Sequence, residues 1–467
     1  MVRTFPLLFI LSIHLCAQMR VVVTSRAGER MKERPPLEMR RGGGTVPAIV
    51  INTVRRYQSM DGFGATLTEA GAMVLAKLPK AKQDDLLRSL FDPRAGAGYT
   101  LVKSPLAAFD FAAAGPWFSY NDTPGDIEMK NFSIQRDLAP NGLIPLIKRA
   151  QQYGNFRIQS TMDFPPDWML DQKMSLKREY FDACARYQVA YLKAYRDQGI
   201  RIDYLAPFNE PQYVYCKIRY DEIRDYIRDF LGPQIKAASL VTKLQTSDPH
   251  NRATSLKESP TILEDPKARQ YIATIPAHGY RWDVEGSEAL TKLNEMYPDI
   301  PIWQTEVCYA YVIDKRPMPV RGYDDGDRWG RMIMADVNNW AAGWIYWNMI
   351  LDHKGGPWLI SVEHGDPVKN DQHPVVIVDT GRGEIEYTGL YYYLAHFSKF
   401  VRPGAVRVET RGSVPSLSFA AFEDRDGSRV LEVINSSPGE RKFEIRDGAR
   451  AAEATLPAWS IGTYIWR

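Results

Sequence analysis

Between about Met60 and Asn348 the chain repeats one pattern eight times: a short run of strand-forming residues, then a longer segment with helical periodicity. The runs read MDGFGATLT, YTLVKSPL, FRIQSTMD, IDYLAPFN, TKLQTSD, IATIPAHGY, PIWQTEV and AAGWIYWN. Strands that alternate with helices form a parallel sheet. Eight such units close a (β/α)₈ barrel, and about 290 residues suits the size of that fold. The sequence therefore predicts the α/β class and a TIM barrel over residues 59–400.

Two of the segments between strands show clear helix chemistry. Residues 176–196 (LKREYFDACARYQVAYLKAYR) carry apolar side chains at helical spacing and run towards Gly199 as a stop signal. Residues 287–297 (SEALTKLNEMY) begin with Ser287, a residue type that caps helix N-termini through its hydroxyl. We expect a helix in each segment.

The two ends of the chain have a different pattern from the centre. Residues 401–467 contain alternating runs (SLSFAAFE, RVLEVINSS, RKFEIRD and IGTYIWR) separated by Gly, Asp and Ser, as in antiparallel strands. Residues 18–58 add the candidates RVVVTS and AIVINTVRRY, with a predicted flexible connection at 33–45 that holds two prolines and three consecutive glycines. The prediction is one flanking β-sandwich built from both chain termini.

Residues 1–17 have the pattern of a signal peptide. They combine an early Arg3, an apolar stretch at 5–15, and a small residue, Ala17, before Gln18. An ordinary buried strand is the alternative interpretation. The stretch is shorter than the roughly 20 residues that span a bilayer, so we expect no stable membrane insertion. A secreted or periplasmic location follows from the signal-peptide interpretation.

Charge and cysteine content exclude several classes. The chain has 59 basic and 56 acidic residues with no basic cluster, so nucleic acid is not an expected partner. Without Cys16, three cysteines remain at Cys184, Cys216 and Cys308, an odd number without the paired spacing of a disulfide scaffold. The oligomeric state stays open.

One stretch of the sequence contains several candidate metal ligands. The candidate ligands there are His353, His364, Asp366 and His373. They lack HxxxH or HxH spacing, and loop histidines are more often surface or hydrogen-bonding residues. We therefore expect neither a metal nor a cofactor.

Two carboxylates end two of the predicted strands. The fourth strand ends in Asn209-Glu210-Pro211 and the seventh in Glu306, 96 residues later. Catalytic side chains of such barrels lie at the carboxyl ends of strands, and this spacing places the pair on opposite sides of the barrel mouth. A single Glu there is more often a salt-bridged barrel residue. Two facing carboxylates, however, are what glycoside hydrolysis requires, with ~5–5.5 Å between them for retention and ~6.5–9.5 Å for inversion.

Neighbouring residues favour the catalytic interpretation. Asn209 can reach the 2-hydroxyl of a sugar. Aromatic rings, which offer flat faces to sugar C–H groups, cluster near the predicted mouth. They are Tyr280, Trp344, Tyr346, Trp347 and Trp358, and about half of the tryptophans should instead point into the barrel wall.

At this level of detail the chain resembles glycoside hydrolase family 30, the family of acid β-glucosidase (glucosylceramidase). The similarity covers residues 20–467 through DGFGATLTEA, FDFAAAGPWFSYNDTPGDIEMKNFSI, FNEP, TEVC, GWIYWNMILDHKGGP and LAHFSKFVRPGAVRV. The resemblance implies a barrel with a sandwich from both termini, a retaining mechanism, Glu210 as acid/base and Glu306 as nucleophile. It also implies sugar contacts from Asn209, His278, Tyr280 and Trp347.

Departures from the glucosylceramidase pattern concern the glycone pocket, which holds the sugar whose bond is cut. Glu69 stands where those enzymes have Asp, Asp163 where they have Trp, and Lys103 where they have Arg. The Asn that often follows GGP is absent, since Pro357 precedes Trp358. We expect Glu69 and Asp163 to contact the substrate, with Asp163 either ionised or paired with Lys103.

Four functions are compatible with these residues. The leading one is a glucosylceramidase-like retaining β-glycosidase acting on a carbohydrate or glycolipid. The others are an endo-β-glycanase of the β-1,6-glucanase or xylanase type, a non-catalytic carbohydrate-binding protein, and a metal-dependent hydrolase. Binding alone does not need both carboxylates, and a metal enzyme needs ligands from the 353–373 loop.

Overall fold

The structure is a computed structural model that describes residues 18–109, 111–112, 118–212, 216–281, 286–309, 323, 325–357 and 372–467. The predicted signal peptide, Trp358, His364 and Asp366 lie outside these residues.

Strands are numbered in chain order. They are β1 (Gln18–Ser25), β2 (Lys32–Glu38), β3 (Arg40–Arg41), β4 (Ala48–Ser59), β5 (Gly62–Thr66), β6 (Leu101–Pro105), β7 (Arg157–Thr161), β8 (Tyr204–Ala206), β9 (Lys243–Gln245), β10 (Ile272–His278), β11 (Ile302–Glu306), β12 (Ala341–Asn348), β13 (Ile350–Asp352), β14 (Val376–Asp379), β15 (Glu384–Tyr387), β16 (Val406–Arg411), β17 (Leu417–Glu423), β18 (Arg429–Asn435), β19 (Arg441–Asp447), β20 (Arg450–Leu456) and β21 (Ser460–Trp466).

The described helices are numbered in the same way. They are α1 (Glu69–Ala76), α2 (Lys80–Phe91), α3 (Gln135–Leu138), α4 (Leu143–Ala150), α5 (Phe181–Asp197), α6 (Tyr220–Tyr226), α7 (Gly232–Ala237), α8 (Arg252–Leu263), α9 (Pro266–Arg269), α10 (Glu288–Met296), α11 (Asp325–Asn338) and α12 (Gly389–Phe400).

Strands β5 to β12 form a closed parallel barrel in chain order, which confirms the predicted fold. Each of the eight predicted runs supplies one strand. A small apolar cluster fills the barrel towards the amino-terminal ends of its strands, and it includes Leu101, Tyr204, Trp303 and Ile345. The barrel interior is therefore a packed core. Side chains that bind a ligand are expected at the carboxyl ends of its strands.

The two chain ends join in one ten-stranded sheet, ordered β2-β1-β21-β18-β17-β16-β4-β19-β20-β3. Its strands enclose a single apolar core to which β1, β18, β20 and β21 all contribute. Strands from both halves of the sheet contribute buried side chains to this one core. The sheet therefore packs against itself as a β-sandwich, as predicted.

The predicted flexible connection at 33–45 is wrong in its first half, because residues 32–38 form strand β2. This strand contains Pro35 and Pro36, which lack an N–H for ladder pairing. It lies at the edge of the sheet beside β1, and the pairing register shifts between Arg34 and Leu37, so neither proline has a partner in the ladder.

Two helix expectations also need correction. Helix α5 begins at Phe181 and not at Leu176, because Leu176 is held in an isolated antiparallel bridge with Leu170. Ser287 precedes α10 but makes no side-chain cap, since its hydroxyl donates to Asp336 Oδ1 at 2.7 Å. In both cases a tertiary contact overrides the local signal.

Helix α12 joins the two domains. Its His396 is buried, and its ring nitrogens lie 2.6 Å from Thr463 Oγ1 and 2.9 Å from Thr24 Oγ1 of the sandwich. Among the residues that the structure describes, no helix is both long and apolar enough to cross a membrane. Cys184, Cys216 and Cys308 are buried thiols outside disulfides.

Candidate active site

The loop after β8 is fixed to its neighbours through its backbone. The Asn209 N–H donates to the Met162 carbonyl at 2.9 Å, and the Glu210 N–H donates to the Asp248 carbonyl at 2.7 Å. Glu210 adopts φ 41°, a left-handed conformation that is costly for a side chain with a Cβ. Two barrel neighbours thus determine the direction of the Glu210 side chain.

Glu306 is the last residue of β11, and its carboxylate lies beside that of Glu210. One carboxylate oxygen from each glutamate and a ring nitrogen of His278 all lie within 4.8 Å of one another. Glu210 is 7% and Glu306 5% exposed. Burial, ahead of all other causes, raises the pKa of Glu210, and the charge of Glu306 raises it further, whereas His278 and Lys103 act in the opposite direction.

Lys103, on β6, is the cation beside Glu306. Its Nζ donates to Glu306 Oε2 at 2.8 Å, to Asp248 Oδ2 at 2.8 Å and to Asn209 Oδ1 at 3.3 Å. Burial alone would lower the pKa of Lys103, but the charges of Asp248 and Glu306 outweigh burial and raise it. The ammonium is therefore charged, and its three hydrogens are all used.

His278, at the end of β10, lies between the two glutamates and Asp248. Its Nδ1 is 2.9 Å from Glu210 Oε1 and 3.6 Å from Glu306 Oε1, and its Nε2 is 3.2 Å from Asp248 Oδ1. Burial lowers the pKa of His278, but Glu306 and Asp248 raise it by more, to about 10. The ring is an imidazolium at neutral pH and donates to Glu210.

Asp248 is the residue that the sequence reasoning missed. It follows β9, is fully buried, and also accepts hydrogen bonds from Gln159 Nε2 at 3.1 Å and from Thr305 Oγ1. Burial raises its pKa, but Lys103 and His278 lower it well below its usual range. Its position at the end of the predicted strand TKLQTSD was the available signal, since the two glutamates were found by that criterion.

Tyr280 and Trp347 lie beside the charged cluster, and their contact with a sugar stays a prediction. The Tyr280 hydroxyl donates to Glu306 Oε1 at 3.0 Å and lies 3.5 Å from Cys308 Sγ. The Trp347 ring centroid is 5.4 Å from Lys103 Nζ, and Phe109 packs edge-to-face against the ring at 6.0 Å. This packing fixes the indole beside the charged cluster.

The other aromatic predictions separate by strand face. Trp344 and Tyr346 alternate with Ile345 along β12, and both are fully buried. Trp344 Nε1 donates to Asp336 of α11, which places its ring on the helix side of the wall. They belong to the core, in line with the expectation that some of the rings point into the barrel wall.

Glu69 and Asp163 are placed less directly. Glu69 begins α1, and its carboxylate accepts two hydrogen bonds from Arg136, at 2.8 and 3.1 Å. Asp163 follows β7 and is 1% exposed. Lys103 donates hydrogen bonds to Asn209, Asp248 and Glu306, and the choice between an ionised Asp163 and an Asp163 paired with Lys103 stays a prediction. Contact of Glu69 and Asp163 with a substrate remains a prediction.

Of the four candidate ligands in the histidine loop, the structure describes His353 and His373, and these two have different carboxylate neighbours. His353 Nδ1 is 4.0 Å from Asp379 Oδ1, whereas the buried His373 Nδ1 is 3.3 Å from Asp325 Oδ2. Within the described residues, Glu210, His278 and Glu306 are close enough to hold an ion. A cation there would face the imidazolium of His278 and the ammonium of Lys103, which oppose it electrostatically.

A (β/α)₈ barrel that buries two adjacent carboxyl groups at the ends of its fourth and seventh strands, one with a raised pKa and the other beside a cation, has the site of a glycoside hydrolase. The chain belongs to glycosyl hydrolase family 30: the family's TIM-barrel domain model matches residues 60–401 and its beta sandwich domain model matches residues 404–464.

A glucosylceramidase and endo-1,6-glucanases are among the proteins that this chain is similar to. The chain is 28% identical to lysosomal acid glucosylceramidase of Mus musculus, over 95% of this chain and 88% of the mouse protein. It is 31% identical to endo-1,6-beta-D-glucanase of Neurospora crassa, over 82% of this chain and 80% of that enzyme. A solved endo-beta1,6-glucanase superimposes with a TM-score of 0.83 at 25% identity, covering 96% of this chain and 99% of the other.

Proposed function

We propose that the protein is a retaining β-glycosidase that works by double displacement, with Glu306 as nucleophile and Glu210 as acid/base. The observation that carries this proposal is a short distance: one carboxylate oxygen of Glu210 and one of Glu306 lie within 4.8 Å of each other. Retaining enzymes hold the pair ~5–5.5 Å apart, whereas inverting enzymes leave ~6.5–9.5 Å for a water molecule.

In the first step Glu306 attacks the anomeric carbon while Glu210 protonates the departing oxygen. Hydrogen bonds from Lys103 and Tyr280 stabilise the ionised Glu306 carboxylate. The raised pKa of Glu210 keeps its proton available. Because His278 donates to Glu210 Oε1, the transferable proton is carried on Oε2.

In the second step Glu210 must act as a base on water. Esterification removes the negative charge of Glu306, so Glu210 loses a neighbour that raised its pKa. Asp248 keeps its charge in this step and continues to favour the His278 imidazolium, whose hydrogen bond stabilises the Glu210 carboxylate. The loss of the Glu306 charge and the presence of His278 together favour an ionised Glu210, which can then deprotonate water.

For the substrate we propose a β-glucoside, with glucosylceramidase-like hydrolysis as its specific form. The similarity to a glucosylceramidase over 95% of the chain supports it. The alternative is endo-action on β-1,6-glucan, supported by the fungal relative and the solved glucanase. The proposed glycone contacts are Asn209, His278, Tyr280, Trp347, Glu69 and Asp163.

We also propose a secreted or periplasmic location. It is supported by the signal-peptide pattern of residues 1–17. N-terminal sequencing of the exported protein should give Gln18 as the first residue.

The test of the mechanism compares two substitutions of the same kind. Glu306→Ala should abolish turnover, and azide should restore no product of retained configuration. Glu210→Ala should still be glycosylated by substrates with good leaving groups, and azide should then yield a β-glycosyl azide. Product configuration by NMR distinguishes the two outcomes.

A surface substitution, Glu423→Ala in the sandwich, is the matched control and should leave activity unchanged. If Glu306→Ala kept near wild-type activity, the assignment would be wrong. Exhaustive chelation should not affect the rate, and a loss regained with a divalent cation would favour the metal-dependent alternative.

A further inference from the structure

A cleft lies at the catalytic end of the barrel, between the segments that follow β6 and β7. It has a volume of about 260 Å³ and is lined by Phe118, Ser119, Asp122, Phe164, Pro165, Asp167 and Met174. None of these residues takes part in the mechanism above. Both segments follow the carboxyl ends of strands, the end of the barrel at which the two glutamates lie, and on this ground we place the cleft at the catalytic end.

The cleft is close in sequence to the catalytic loop. Phe164 comes two residues after Met162, whose carbonyl accepts the Asn209 N–H at 2.9 Å. Three consecutive residues extend at most about 11 Å. The wall of the cleft is therefore attached directly to the backbone that positions Glu210.

The walls are fixed before any ligand arrives. Trp168 Nε1 donates to the Asn121 carbonyl at 3.0 Å, which ties the two segments together. The Arg136 guanidinium stacks 3.8 Å from the Phe118 ring centroid and forms the ion pair with Glu69. A ring held in this way contacts a ligand without losing further conformational freedom.

The lining of the cleft combines apolar and acidic side chains. Two phenylalanine rings and Met174 provide apolar surface, while Asp122 and Asp167 are exposed carboxylates at the rim. Ser119 donates to Asp122 Oδ1 at 2.7 Å and holds that carboxylate in place. An aromatic wall suits the C–H face of a sugar, and carboxylate oxygens accept hydrogen bonds from hydroxyl groups.

We propose that this cleft binds a pyranose ring of the leaving group, one sugar beyond the bond that is cut. The inference rests on the proposed glycosidase function and, of its two substrate forms, favours the alternative one, a β-linked oligosaccharide, over a glycolipid. An acyl chain fits less well, because packing hydrocarbon against Asp122 and Asp167 would remove water from two carboxylates without replacing its hydrogen bonds. The volume, below that of most drug-sized sites, suits a single ring.

The test compares three substrates that share one glycone: β-glucosyl fluoride, a β-1,6-linked glucose trisaccharide, and a glucosylated lipid with a short acyl chain. The fluoride leaving group is too small to reach the cleft. Phe118→Ala should lower kcat/KM for the trisaccharide ~10-fold, which is the scale of one aromatic contact, and change it less than ~2-fold for the fluoride.

Two further variants keep the experiment decisive. Phe118→Tyr retains the ring and should retain activity on the trisaccharide. Ile127→Ala, at an exposed position of the same segment, is the matched control and should behave as wild type on all three substrates. Thermal unfolding of each variant checks that the fold is intact.

The outcomes separate the two proposals. Wild-type protein inert towards all three substrates would overturn the glycosidase function. Wild-type activity with equal losses in Phe118→Ala on every substrate, or with none, would overturn the sugar subsite alone. A loss confined to the glucosylated lipid would show that the cleft holds an acyl chain, which also contradicts the proposal.

Discussion

Burial has opposite consequences in two of the clusters of buried ionisable groups that the structure describes. The active-site cluster consists of Lys103, Glu210, Asp248, His278 and Glu306. The interface cluster, between barrel and sandwich, consists of His396 and Glu432 with two threonine hydroxyls. Both clusters are almost fully removed from water.

In the active-site cluster, opposite charges overcome the cost of burial. The pKa of His278 is raised to about 10, and that of Asp248 lies well below its usual range. In the interface cluster, burial dominates: the pKa of His396 is lowered to about 3 and that of Glu432 is raised to about 8. The same residue types are ionic in one place and neutral in the other. In the active-site cluster Glu306 and Asp248 favour the charged form of His278, and Lys103 and His278 favour the charged form of Asp248, whereas burial is the first cause of both shifts in the interface cluster.

We expect the largest change in activity and stability from Lys103→Met, which removes the ammonium from the active-site cluster. It leaves Glu306 and Asp248 buried without their cation, so kcat/KM should fall by ~10³-fold, and the free energy of unfolding should drop by about 3–5 kcal/mol. Steady-state kinetics and urea denaturation measure the two quantities.

Lys103→Arg, which keeps the charge but changes its geometry, is the control and should lose less on both measures. Equal behaviour of the Met and Arg variants would mean that shape, and not charge, holds the cluster together.

A smaller effect is expected from Asp248→Asn, which tests the part of the cluster that does not touch the reacting atoms. Asp248 is a positioning residue, so we expect kcat to fall by about 10- to 100-fold with KM little changed. Without this anion the pKa of His278 should fall from about 10 towards its ordinary value, which an NMR titration of the imidazole can follow. An unchanged His278 titration would show that Asp248 does not maintain the imidazolium.

The smallest effect concerns the interface cluster and leaves catalysis intact. The pKa of Glu432 in the folded protein, about 8, lies above the ordinary 4.5, so the folded state keeps a proton that the unfolded chain releases between these values. The free energy of unfolding should therefore fall as pH rises through this window, by about 2–4 kcal/mol between pH 5 and pH 8. Glu432→Gln should remove that part of the slope in denaturation curves recorded at each pH.

Comparison of wild type with Glu432→Gln isolates this carboxyl group, because His278 and His396 contribute to both proteins. His396, with its pKa lowered to about 3, favours stability as pH rises from 3 to 6.5 and so acts in the opposite direction. Parallel pH profiles of the two proteins would contradict a neutral, buried Glu432.

The barrel and both glutamates were predictable because each depends on local pattern. Eight strand runs set the topology, and the strand-end rule then selects Glu210 and Glu306. Their environment was not predictable in the same way. Lys103, Asp248 and His278 come from three different barrel units, and their charge states follow from contacts of about 3 Å that no spacing in the sequence encodes.

Other errors have the same origin. Strand β2 carries two prolines and forms because it lies at an open edge, which is a property of the whole sheet. The Ser287 hydroxyl turns from its helix to Asp336, 49 residues away. Local propensity fails where a distant partner offers a better hydrogen bond.

The left-handed backbone of Glu210 bears on the evolutionary history of the family. A side chain with a Cβ at φ 41°, followed by a proline, adopts a conformation that glycine or asparagine accepts at lower cost. Such strain persists only while selection for catalysis maintains it. In a descendant chain that kept the fold and lost its activity, position 210 should therefore be among the first to be substituted, with glycine or asparagine as the favoured replacements.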